Sequence, residues 1–414
     1  MAIELPLQLP GVRVLEAKLT PDKKYIITVE STKKDTQCHK CGRKISQFHG
    51  HGRWLEIRHL DVLGYETYIR LQPKRFRCDY CDDRPSTTQR LSWYNPNTGV
   101  TKAYERYLLR QLVNSTITDV SHKAGIGYDV VRNVLERRVQ QQVNWHEFQE
   151  LGILGIDEIA VRKGHKDYVA VITSQQANGQ VKLLAILEDR KKATVIAFLK
   201  TIPERLRNTI HTVCTDMWEG YTNAVKEALP DNVQLVIDRF HVARKYRQGV
   251  DALRKQELKR LKQELSKAEY KQLKGHLWAV RYNWANLPEK KKTILEKLFY
   301  YSPVLAQAHQ LREQLTGIFD KARNPTQAIE QIQAWKQHVI DSGLDCFDKF
   351  LKMLDDWWEG IINYFHQRNS SGFVEGLNNK IKTLKRRCYG LFMPAHLFQR
   401  LYLDLEGYRL FSRV

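Results

Sequence analysis

The sequence predicts a multidomain α+β protein with a β-rich module, a helical module, an α/β domain and a long helical segment, in that order. Two observations indicate this fold class. Strand-like runs separated by turn residues occupy residues 1–92 and recur after residue 149, whereas apolar residues follow a helical period elsewhere. The chain has 414 residues, 42% of them hydrophobic, which is enough for about two to four domains with buried cores. We place the domain limits at residues 1–92, 93–148, 149–245, 246–367 and 368–414.

The overall charge indicates the class of partner. Sixty-seven Lys and Arg residues against 46 Asp and Glu residues give a formal net charge of +21. Solubility requires far less charge, so a polyanion such as nucleic acid is the expected partner. The sequence has no apolar run of the roughly 20 residues that cross a bilayer, and no signal-peptide pattern. We therefore expect an intracellular protein without a membrane partner.

The first segment, residues 1–92, carries two cysteine pairs between short strands. Four strands are predicted, at residues 14–19, 24–29, 54–60 and 66–71. The turn Thr20-Pro-Asp-Lys23 joins the first two as a hairpin. Two Cys-x-x-Cys pairs match the four thiolates of one tetrahedral structural Zn²⁺. The predicted zinc ligands are Cys38, Cys41, Cys78 and Cys81.

Other interpretations of these cysteines remain open. Two coincidental pairs or a redox Cys-x-x-Cys would give the same pattern, although the βαβ context of a redox motif is absent. His39, His49 and His51 are alternative ligands, or surface and phosphate contacts if the cysteines suffice. Seven cysteines is an odd number, and without an export signal it favours a metal site over disulfides.

Residues 93–148 have the pattern of a helix-turn-helix domain. Thr118 or Asp119 is expected to cap its second helix. Gly125 lies where the tight turn is required, and Ser121 is the small residue that fits between the helices. The third helix would present Tyr128, Asp129, Arg132 and Asn133, which can reach phosphates or base edges. Of these, Tyr128, Arg132 and Asn133 are the predicted DNA contacts. Any helical hairpin with a glycine turn looks similar, but the charge of +21 favours DNA binding.

Residues 149–245 alternate between strands and helices. Strands are predicted at 151–161, 167–174, 181–187, 212–216 and 233–237, with a turn at 163–166 and helices at 194–206 and 221–228. Three strands of a meander followed by strand–helix alternation indicate an α/β domain. Asp157 and Asp216 lie at or near the ends of separate strands, which is where such sheets form their sites.

Residues 246–367 are almost entirely helical and rich in Lys, Arg and Gln. One helix seam is predicted through Leu258, Leu261, Leu265 and Ala268. Most of the tryptophans in this segment are expected in its core, these being Trp278, Trp284, Trp335, Trp357 and Trp358. Its basic faces are either merely solvated or hold a DNA backbone.

The last segment, residues 368–414, opens with an amphipathic helix that Ser370 or Ser371 can cap. Its apolar stripe is Val374, Leu377, Ile381 and Leu384. Another face carries one acid, Glu375, followed by the candidate DNA contacts Asn379, Lys382 and Arg386. An amphipathic surface helix explains the stripe but not a lone carboxylate on so basic a helix.

Two strand-borne aspartates and one helix-borne glutamate on a polycationic chain suggest a two-metal site for phosphoryl transfer. Asp157, Asp216 and Glu375 offer hard oxygen ligands of the kind that hold Mg²⁺ or Mn²⁺. Two such ions would activate the attacking water or hydroxyl and stabilise the leaving oxygen in an in-line displacement. No covalent protein nucleophile is needed for this reaction.

Residues next to these carboxylates leave alternatives open. Glu158 should point away from Asp157, because side chains alternate along a strand. Asp238 ends the fifth strand and is a candidate further metal ligand, or else it is structural or orients His241. Trp218 and Tyr221 are equally candidates for stacking on a base and for packing.

Together, these features resemble the ISL3-type insertion-sequence transposases over essentially the whole chain. The motifs that carry the resemblance are the two cysteine pairs, the helix-turn-helix, Gly155-Ile-Asp157-Glu-Ile-Ala, Thr215-Asp216-Met-Trp-Glu-Gly-Tyr221, Asp238-Arg-Phe-His241 and Val374-Glu375-Gly-Leu-Asn-Asn-Lys-Ile-Lys. The resemblance implies an RNase H-like catalytic domain of the DDE class, in two parts at 149–245 and 368–414. The helical insertion at 246–367 would separate the second Asp from the Glu.

The resemblance also implies the site and the partners. Asp157, Asp216 and Glu375 would be the catalytic triad, with two Mg²⁺ or Mn²⁺ ions per active site and one structural Zn²⁺. The DNA partners would be the terminal inverted repeats of the element and the target DNA, with a homodimer joining two ends in a synaptic complex. We expect a bacterial cytoplasmic protein associated with the nucleoid.

Two rival functions share these motifs. A domesticated or inactive transposase would use the zinc and helix-turn-helix modules as a DNA-binding regulator. A structure-selective nuclease on the same fold would cut branched DNA without terminal repeats or strand transfer. The complete acidic triad favours the enzyme over the regulator, since a regulator does not need all three carboxylates.

Overall fold

A computed structural model describes residues 7, 9–160, 168–273, 279–391 and 393–412, and they form two compact units. The first unit comprises Met1–Gln140 and Gln399–Val414, and the second comprises Gln141–Phe398. The turn predicted at 163–166 and the side chain of Trp278 lie outside the described residues. None of the described helices is long and apolar enough to cross a membrane.

Within the described residues, the strands of the first unit form three small sheets. They are β1 (Val12–Leu19), β2 (Lys24–Ser31), β3 (Thr36–Gln37), β4 (Lys44–Ile45), β5 (Gln47–His51), β6 (Leu55–Val62), β7 (Tyr65–Leu71), β8 (Lys74–Arg77) and β9 (Ser86–Thr88). The sheets have the orders β1-β2-β7-β6, β3-β4 and β5-β8-β9. The predicted hairpin is confirmed, because β1 pairs antiparallel with β2 across the Thr20–Lys23 turn. Alternate residues such as Ile27 and Val29, or Ile69 and Leu71, are buried, as expected of strands with one covered face.

Three helices complete the first unit as a helix-turn-helix. They are α1 (Lys102–Leu112), α2 (Ile117–Ala124) and α3 (Tyr128–Arg138). The predicted cap at Thr118 or Asp119 is wrong, because the hydroxyl of Thr116 accepts the N–H of Asp119 and starts the helix earlier. Gly125 ends α2 with a left-handed φ of 60°, as the turn prediction required. Ser121 ties the turn together by donating to the carbonyl of Ile126 at 2.5 Å.

The second unit is built on a five-stranded mixed sheet. Its strands are β10 (Gly152–Ala160), β11 (Tyr168–Gln175), β12 (Val181–Ile186), β13 (Ile210–Thr215) and β14 (Gln234–Ile237), in the order β12-β11-β10-β13-β14. The first three form the predicted antiparallel meander, and β13 and β14 run parallel to β10. Parallel strands end at the same edge, which aligns the ends of β13 and β14 beside the middle of β10.

One face of this sheet is covered by the helices between its strands. These helices are α4 (Lys192–Thr201), α5 (Glu204–Arg207) and α6 (Glu219–Ala228). Leu154 and Ile156 of β10 pack there with Val195, Leu199 and Tyr221. The single helix predicted at 194–206 is wrong, because Pro203 cannot continue a helix and holds Ile202 before it in an extended conformation.

The segment after β14 is helical, as predicted. Its helices are α7 (Arg239–Glu264), α8 (Lys267–Leu273), α9 (Glu289–Tyr301), α10 (Pro303–Lys321), α11 (Pro325–Ser342), α12 (Asp348–Asp356) and α13 (Trp358–Gln367). The expectation for the tryptophans is confirmed where they are described, with Trp335 2% exposed and Trp284, Trp357 and Trp358 packed on the same core.

The seam predicted through Leu258, Leu261, Leu265 and Ala268 does not lie on one helix. Leu265 is extended and ends α7, whereas Ala268 belongs to α8. The side chains of Ser266 and Glu269 each accept the other residue's backbone N–H, at 3.3 and 2.9 Å, which is a capping box. This local motif starts a new helix and overrides the apolar period.

Two helices end the described chain, α14 (Gly372–Arg387) and α15 (Pro394–Leu410). The predicted stripe of α14 is confirmed, since Val374, Leu377, Ile381 and Leu384 are all buried. Ser371 precedes the helix without a side-chain cap, and the hydroxyl of Ser370 accepts the N–H of Gly372 at 3.4 Å.

Candidate active site and metal centre

Three aspartates lie in one row across neighbouring parallel strands, Asp157 in the middle of β10 and Asp216 and Asp238 just after the ends of β13 and β14. Ile156 of β10 is paired with Thr215 of β13, which is paired with Ile237 of β14. The next residues along these strands are Asp157, Asp216 and Asp238. The backbone N–H of Asp238 donates to the carbonyl of Thr215 at 2.8 Å, which holds the strand ends in this register. The structure therefore brings together two of the three predicted catalytic carboxylates and the candidate further ligand.

The carboxyl groups of Asp157 and Asp216 sit in a partly desolvated, negatively charged environment. Burial raises the pKa of Asp216 to about 6, and the negative charges of Glu158 and Asp157 act in the same direction. Burial also raises the pKa of Asp157, against the hydrogen bond from the N–H of Glu158. Among the described residues, no side chain or backbone group pairs with the buried Oδ1 of Asp216.

His241 and Asp238 border this row. The neighbouring imidazole of His241 lowers the pKa of both Asp157 and Asp216, against the larger effect of burial. Asp238 is 5% exposed, and its side chain accepts the N–H of Phe240, which caps the start of α7. Its other carboxylate oxygen lies 4.0 Å from Nε2 of His241. Asp238 thus has a capping role whether or not it binds a metal.

Glu158 points to the opposite face of the sheet, as strand alternation predicts. Its carboxylate forms an ion pair with Arg190, and the guanidinium of Arg190 stacks on Tyr168 and Trp218. Tyr221 is fully buried on the same face. Glu158 therefore contributes charge near Asp216 without sharing the face of Asp157.

Helix α14 packs directly on β10 beside the aspartates. Gly155, two residues before Asp157, makes this possible, because a Cβ there would lie 2.3 Å from Cγ2 of Val374. Lys385, near the other end of α14, donates to the carbonyl of Ala160 at the end of β10 at 2.6 Å. The helix is therefore fixed at two points along the strand that carries Asp157.

Asn378 on α14 is a site residue that the sequence interpretation missed. Its amide nitrogen donates to Oδ2 of Asp157 at 2.6 Å, and its side chain is 6% exposed. Its amide oxygen is buried without a partner among the described residues. The signal in the sequence was its position three residues after Glu375, which places it on nearly the same side of the helix. The adjacent Asn379, selected as a DNA contact, is exposed instead.

Glu375 lies one turn before Asn378 on α14 and is exposed to solvent. Glu375 does not form a metal-ligand cluster with the two aspartates; among the described residues, the side chains that do form such a cluster are four cysteines. The structure thus places the glutamate on the helix that contacts Asp157, but leaves its side chain at the rim.

Cys38, Cys41, Cys78 and Cys81 form that cluster, with all four sulfurs within 4.8 Å of one another. The sulfur of Cys78 lies 3.7 Å from those of both Cys41 and Cys81. A tetrahedron with Zn–S bonds of about 2.3 Å has sulfur–sulfur edges of about 3.8 Å. The four thiolates fit one structural Zn²⁺, and His39 hydrogen-bonds Thr87 rather than joining them.

The predicted DNA-contact residues are at the surface. Tyr128, Arg132 and Asn133 are exposed on α3, and Arg132 makes exposed ion pairs with Asp129 and Glu136 of its own helix. On α14, the exposed side chains include Asn379, Lys382 and Arg386. These residues are accessible to a polyanion.

Family comparisons cover the same modules. A zinc-finger profile of the transposases of IS204, IS1001, IS1096 and IS1165 matches residues 34–81, and the helix-turn-helix profile of transposase family ISL3 matches residues 89–139. The transposase profile of the ISL3 family, of the DDE type, matches residues 154–401, more than half of the chain.

Two curated relatives are similar over nearly their whole length. The transposase for insertion sequence element IS1001 of Bordetella parapertussis is 25% identical over 96% of this chain and 95% of its own. The transposase for element IS1557 of Mycobacterium tuberculosis is 23% identical over 90% and 86%. A Drosophila P element transposase strand transfer complex aligns at 10% identity over 74% of this chain and 93% of its own. Its TM-score of 0.41 is too low to indicate a shared fold. This chain belongs to the ISL3 family of DNA-binding transposases.

Proposed function

We propose that this transposase cleaves the ends of its insertion sequence and joins them to target DNA at a site formed by Asp157, Asp216 and Glu375. The observation that carries the proposal is the row of aspartates on neighbouring strands beside α14. Asp157 and Asp216 occupy adjacent positions on neighbouring strands, and Glu375 lies one turn from Asn378, which is hydrogen-bonded to Asp157.

The arrangement of the second unit supports an RNase H-like assignment for the catalytic domain. An antiparallel meander is followed by two strands parallel to its first strand, and α14 packs on the sheet after a long helical segment. We assign the catalytic domain to residues 149–245 and 368–414, with the helical insertion at 246–367. The zinc-binding and helix-turn-helix domains are assigned to residues 1–92 and 93–148.

The donor atoms of this site fit Mg²⁺ or Mn²⁺. Oδ1 of Asp216 and the amide oxygen of Asn378 are buried oxygens without partners among the described residues, which a hard cation would satisfy. The pKa values of both aspartates are raised chiefly by burial, and the neighbouring acid Glu158 adds to the shift in each case. When bound, two such ions would activate the attacking hydroxyl and stabilise the leaving oxygen.

The protein's own residues prepare the site for this chemistry. Asn378 fixes one oxygen of Asp157, and the N–H of Glu158 fixes the other. The exposed Glu375 has the freedom to turn its carboxylate toward the aspartates when the metal binds. The neighbouring imidazole of His241 lowers the pKa of Asp157 and of Asp216, which favours the ionised forms that bind a cation.

DNA recognition is assigned to the helix-turn-helix, with α3 as the recognition helix and the terminal inverted repeats as its site. Tyr128, Arg132 and Asn133 would contact these repeats, and Asn379, Lys382 and Arg386 would hold DNA near the catalytic carboxylates. Two element ends must be held together for joining, so we assign a homodimer to the synaptic complex.

Cleavage of a duplex carrying the repeats that bracket the gene tests the function. With Mg²⁺, the wild-type protein should cut at the repeat ends, and Asp157→Ala, Asp216→Ala and Glu375→Ala should each slow cleavage by more than about 100-fold. Asp231→Ala is the matched control, because Asp231 is an exposed acid at the other end of the parallel strands. Wild-type rates in all three variants would refute the site, and specific binding without any cleavage would identify a regulator.

A further inference from the structure

Trp218 carries an exposed indole just after Asp216, on the side of the sheet that holds Glu158 and Arg190, two charged groups that act on the pKa of Asp216. It follows Asp216 by two residues, and its backbone N–H donates to the carbonyl of Asp216 at 2.9 Å. Its side chain is 40% exposed. Tyr221, three residues later, is fully buried in the core that covers this face of the sheet. The two aromatic residues of this motif therefore differ in exposure, since Tyr221 is part of the core and Trp218 is exposed to solvent.

The indole of Trp218 is held in place by two neighbours, Arg190 and Gly220. The guanidinium of Arg190 stacks on it, with its carbon 4.5 Å from the ring centre. Arg190 is itself fixed by an ion pair with Glu158 and by stacking on Tyr168. A Cβ at Gly220 would lie 2.4 Å from Nε1 of Trp218, so the ring occupies space that only glycine leaves free.

A rigid, exposed indole backed by an arginine is suited to one type of ligand in a DNA-cleaving site. Nucleobases have flat π faces and stack on aromatic side chains with little sequence preference. The arginine adds a cation–π contribution to such a platform. In a duplex these faces are covered by neighbouring bases, so stacking requires a base to leave the helix near the bond that reacts.

We propose that Trp218 stacks on a nucleobase unstacked from the DNA next to the cleaved bond, with Arg190, Glu158 and Gly220 as its positioning residues. This proposal rests on the proposed function, because it takes the Asp216 region as the place where the cleaved bond lies. It adds a contact that selects a distorted DNA end.

The test is a double-mutant cycle that combines Trp218→Ala with the removal of single bases from the DNA. The probes are duplexes carrying the bracketing repeats, each with one abasic site at a position around the cut. Binding is measured without divalent metal, and cleavage with Mg²⁺. At one or two positions, loss of the base should weaken wild-type binding or slow its cleavage by about 5- to 100-fold. Trp218→Ala should weaken binding or slow cleavage by the same factor on the intact duplex. Removing the base at those positions should then have no further effect on this variant.

Further variants separate stacking from general damage. Trp218→Phe keeps an aromatic face and should keep most of the coupling. Gly220→Ala should reduce it, because the added methyl group displaces the ring. Tyr300→Ala removes an 81%-exposed aromatic side chain from α9 of the helical segment, and its effect should be independent of every abasic site.

The outcomes distinguish this proposal from the metal site. Independent effects of Trp218→Ala and the abasic sites at all positions would overturn the stacking proposal, whatever the carboxylate variants do. A second outcome is that Trp218 and one base remain coupled in metal-free binding, while Asp216→Ala cleaves at the wild-type rate. That outcome would support stacking on Trp218 and refute the catalytic role of Asp216.

Discussion

Burial beside other acids raises the pKa of Asp216. Its raised pKa of about 6 means that the folded, metal-free protein favours the protonated acid over a wider pH range than the unfolded chain does. Protons therefore compete with a divalent cation at this position. We expect the rate of Mg²⁺-dependent cleavage to fall as the pH drops through about 6, measured at fixed Mg²⁺ concentration, and more Mg²⁺ should partly restore it.

The same pKa shift predicts a change in stability. Between the ordinary Asp pKa of 3.8 and about 6, the folded state binds more protons than the unfolded state, so this group's contribution to stability decreases as the pH rises. Metal-free Asp216→Asn should be more stable than wild type above pH 6, by on the order of 2 kcal/mol, and the difference should vanish near pH 4. Urea denaturation across this range measures it, with Asp231→Asn as the control. A difference that does not change with pH would contradict the shift.

Asn378 acts on the site through Asp157, so we treat it as a positioning residue. Asn378→Leu removes the hydrogen bond to Oδ2 of Asp157 and the buried amide oxygen while keeping a side chain that branches at Cγ. We expect cleavage to slow by about 10- to 100-fold and the Mg²⁺ concentration for half-maximal rate to rise. Thr383→Ala, at an exposed position of the same helix, is the control. An unchanged Mg²⁺ requirement would indicate a purely structural role.

At the scale of elements, the zinc module depends on four sulfurs supplied by two distant turns. The wild-type chain should contain one zinc ion by elemental analysis, and Cys78→Ser should lose it and destabilise the module, because Cys78 is buried between Cys41 and Cys81. Cys388→Ser, outside the cluster, should keep the metal. Well-folded wild-type protein without zinc would contradict the assignment.

Helix α3, which we propose as the recognition helix, gives a prediction about phosphate contact. Arg132 is exposed and forms ion pairs with Asp129 and Glu136 of its own helix. Exposed ion pairs contribute little free energy, so Arg132 can leave them for a DNA phosphate at little cost. If Arg132 neutralises one phosphate, Arg132→Ala should lower the slope of log affinity against log salt by about 1. Binding titrations at several salt concentrations measure it. An unchanged slope with lower affinity for the repeat alone would instead identify a base contact.

Capping motifs explain where the predicted elements went wrong. Thr116, Pro203 and the Ser266–Glu269 capping box each set a helix boundary that the apolar period alone did not reveal. The period arises from packing on a core, whereas a boundary depends on which side chain satisfies the free N–H groups of the first turn. Several residues near a boundary can do this, so the choice is made by the fold.

At the scale of the whole molecule, the net charge of +21 predicts strongly salt-dependent DNA binding. Each phosphate that the protein neutralises adds about −0.9 to the slope of log affinity against log salt. We expect a steep decrease in affinity for any duplex between about 50 and 200 mM salt. The slope of log affinity against log salt should be nearly the same for the repeat and for an unrelated duplex. The affinity for the repeat should nevertheless differ from that for the unrelated duplex at each salt concentration. A flat titration would contradict an electrostatic contribution.

The sequence by itself determined the modules of this protein and their order. The cysteine spacing, the glycine turn before α3, the strand pattern and the stripe of α14 are all local features, and the structure confirms each of them. They could be predicted because metal geometry, turn conformation and burial of one face act over a few residues.

Only the tertiary structure decided how these parts form a site. The register of β10, β13 and β14 aligned Asp157 with Asp216 and Asp238, and the close packing of α14 on Gly155 selected Asn378 rather than Asn379 as the partner of Asp157. Likewise, the sequence left Trp218 and Tyr221 equivalent, and packing buried one and exposed the other. Strand register and helix rotation depend on contacts between residues far apart in the chain, which no local pattern contains.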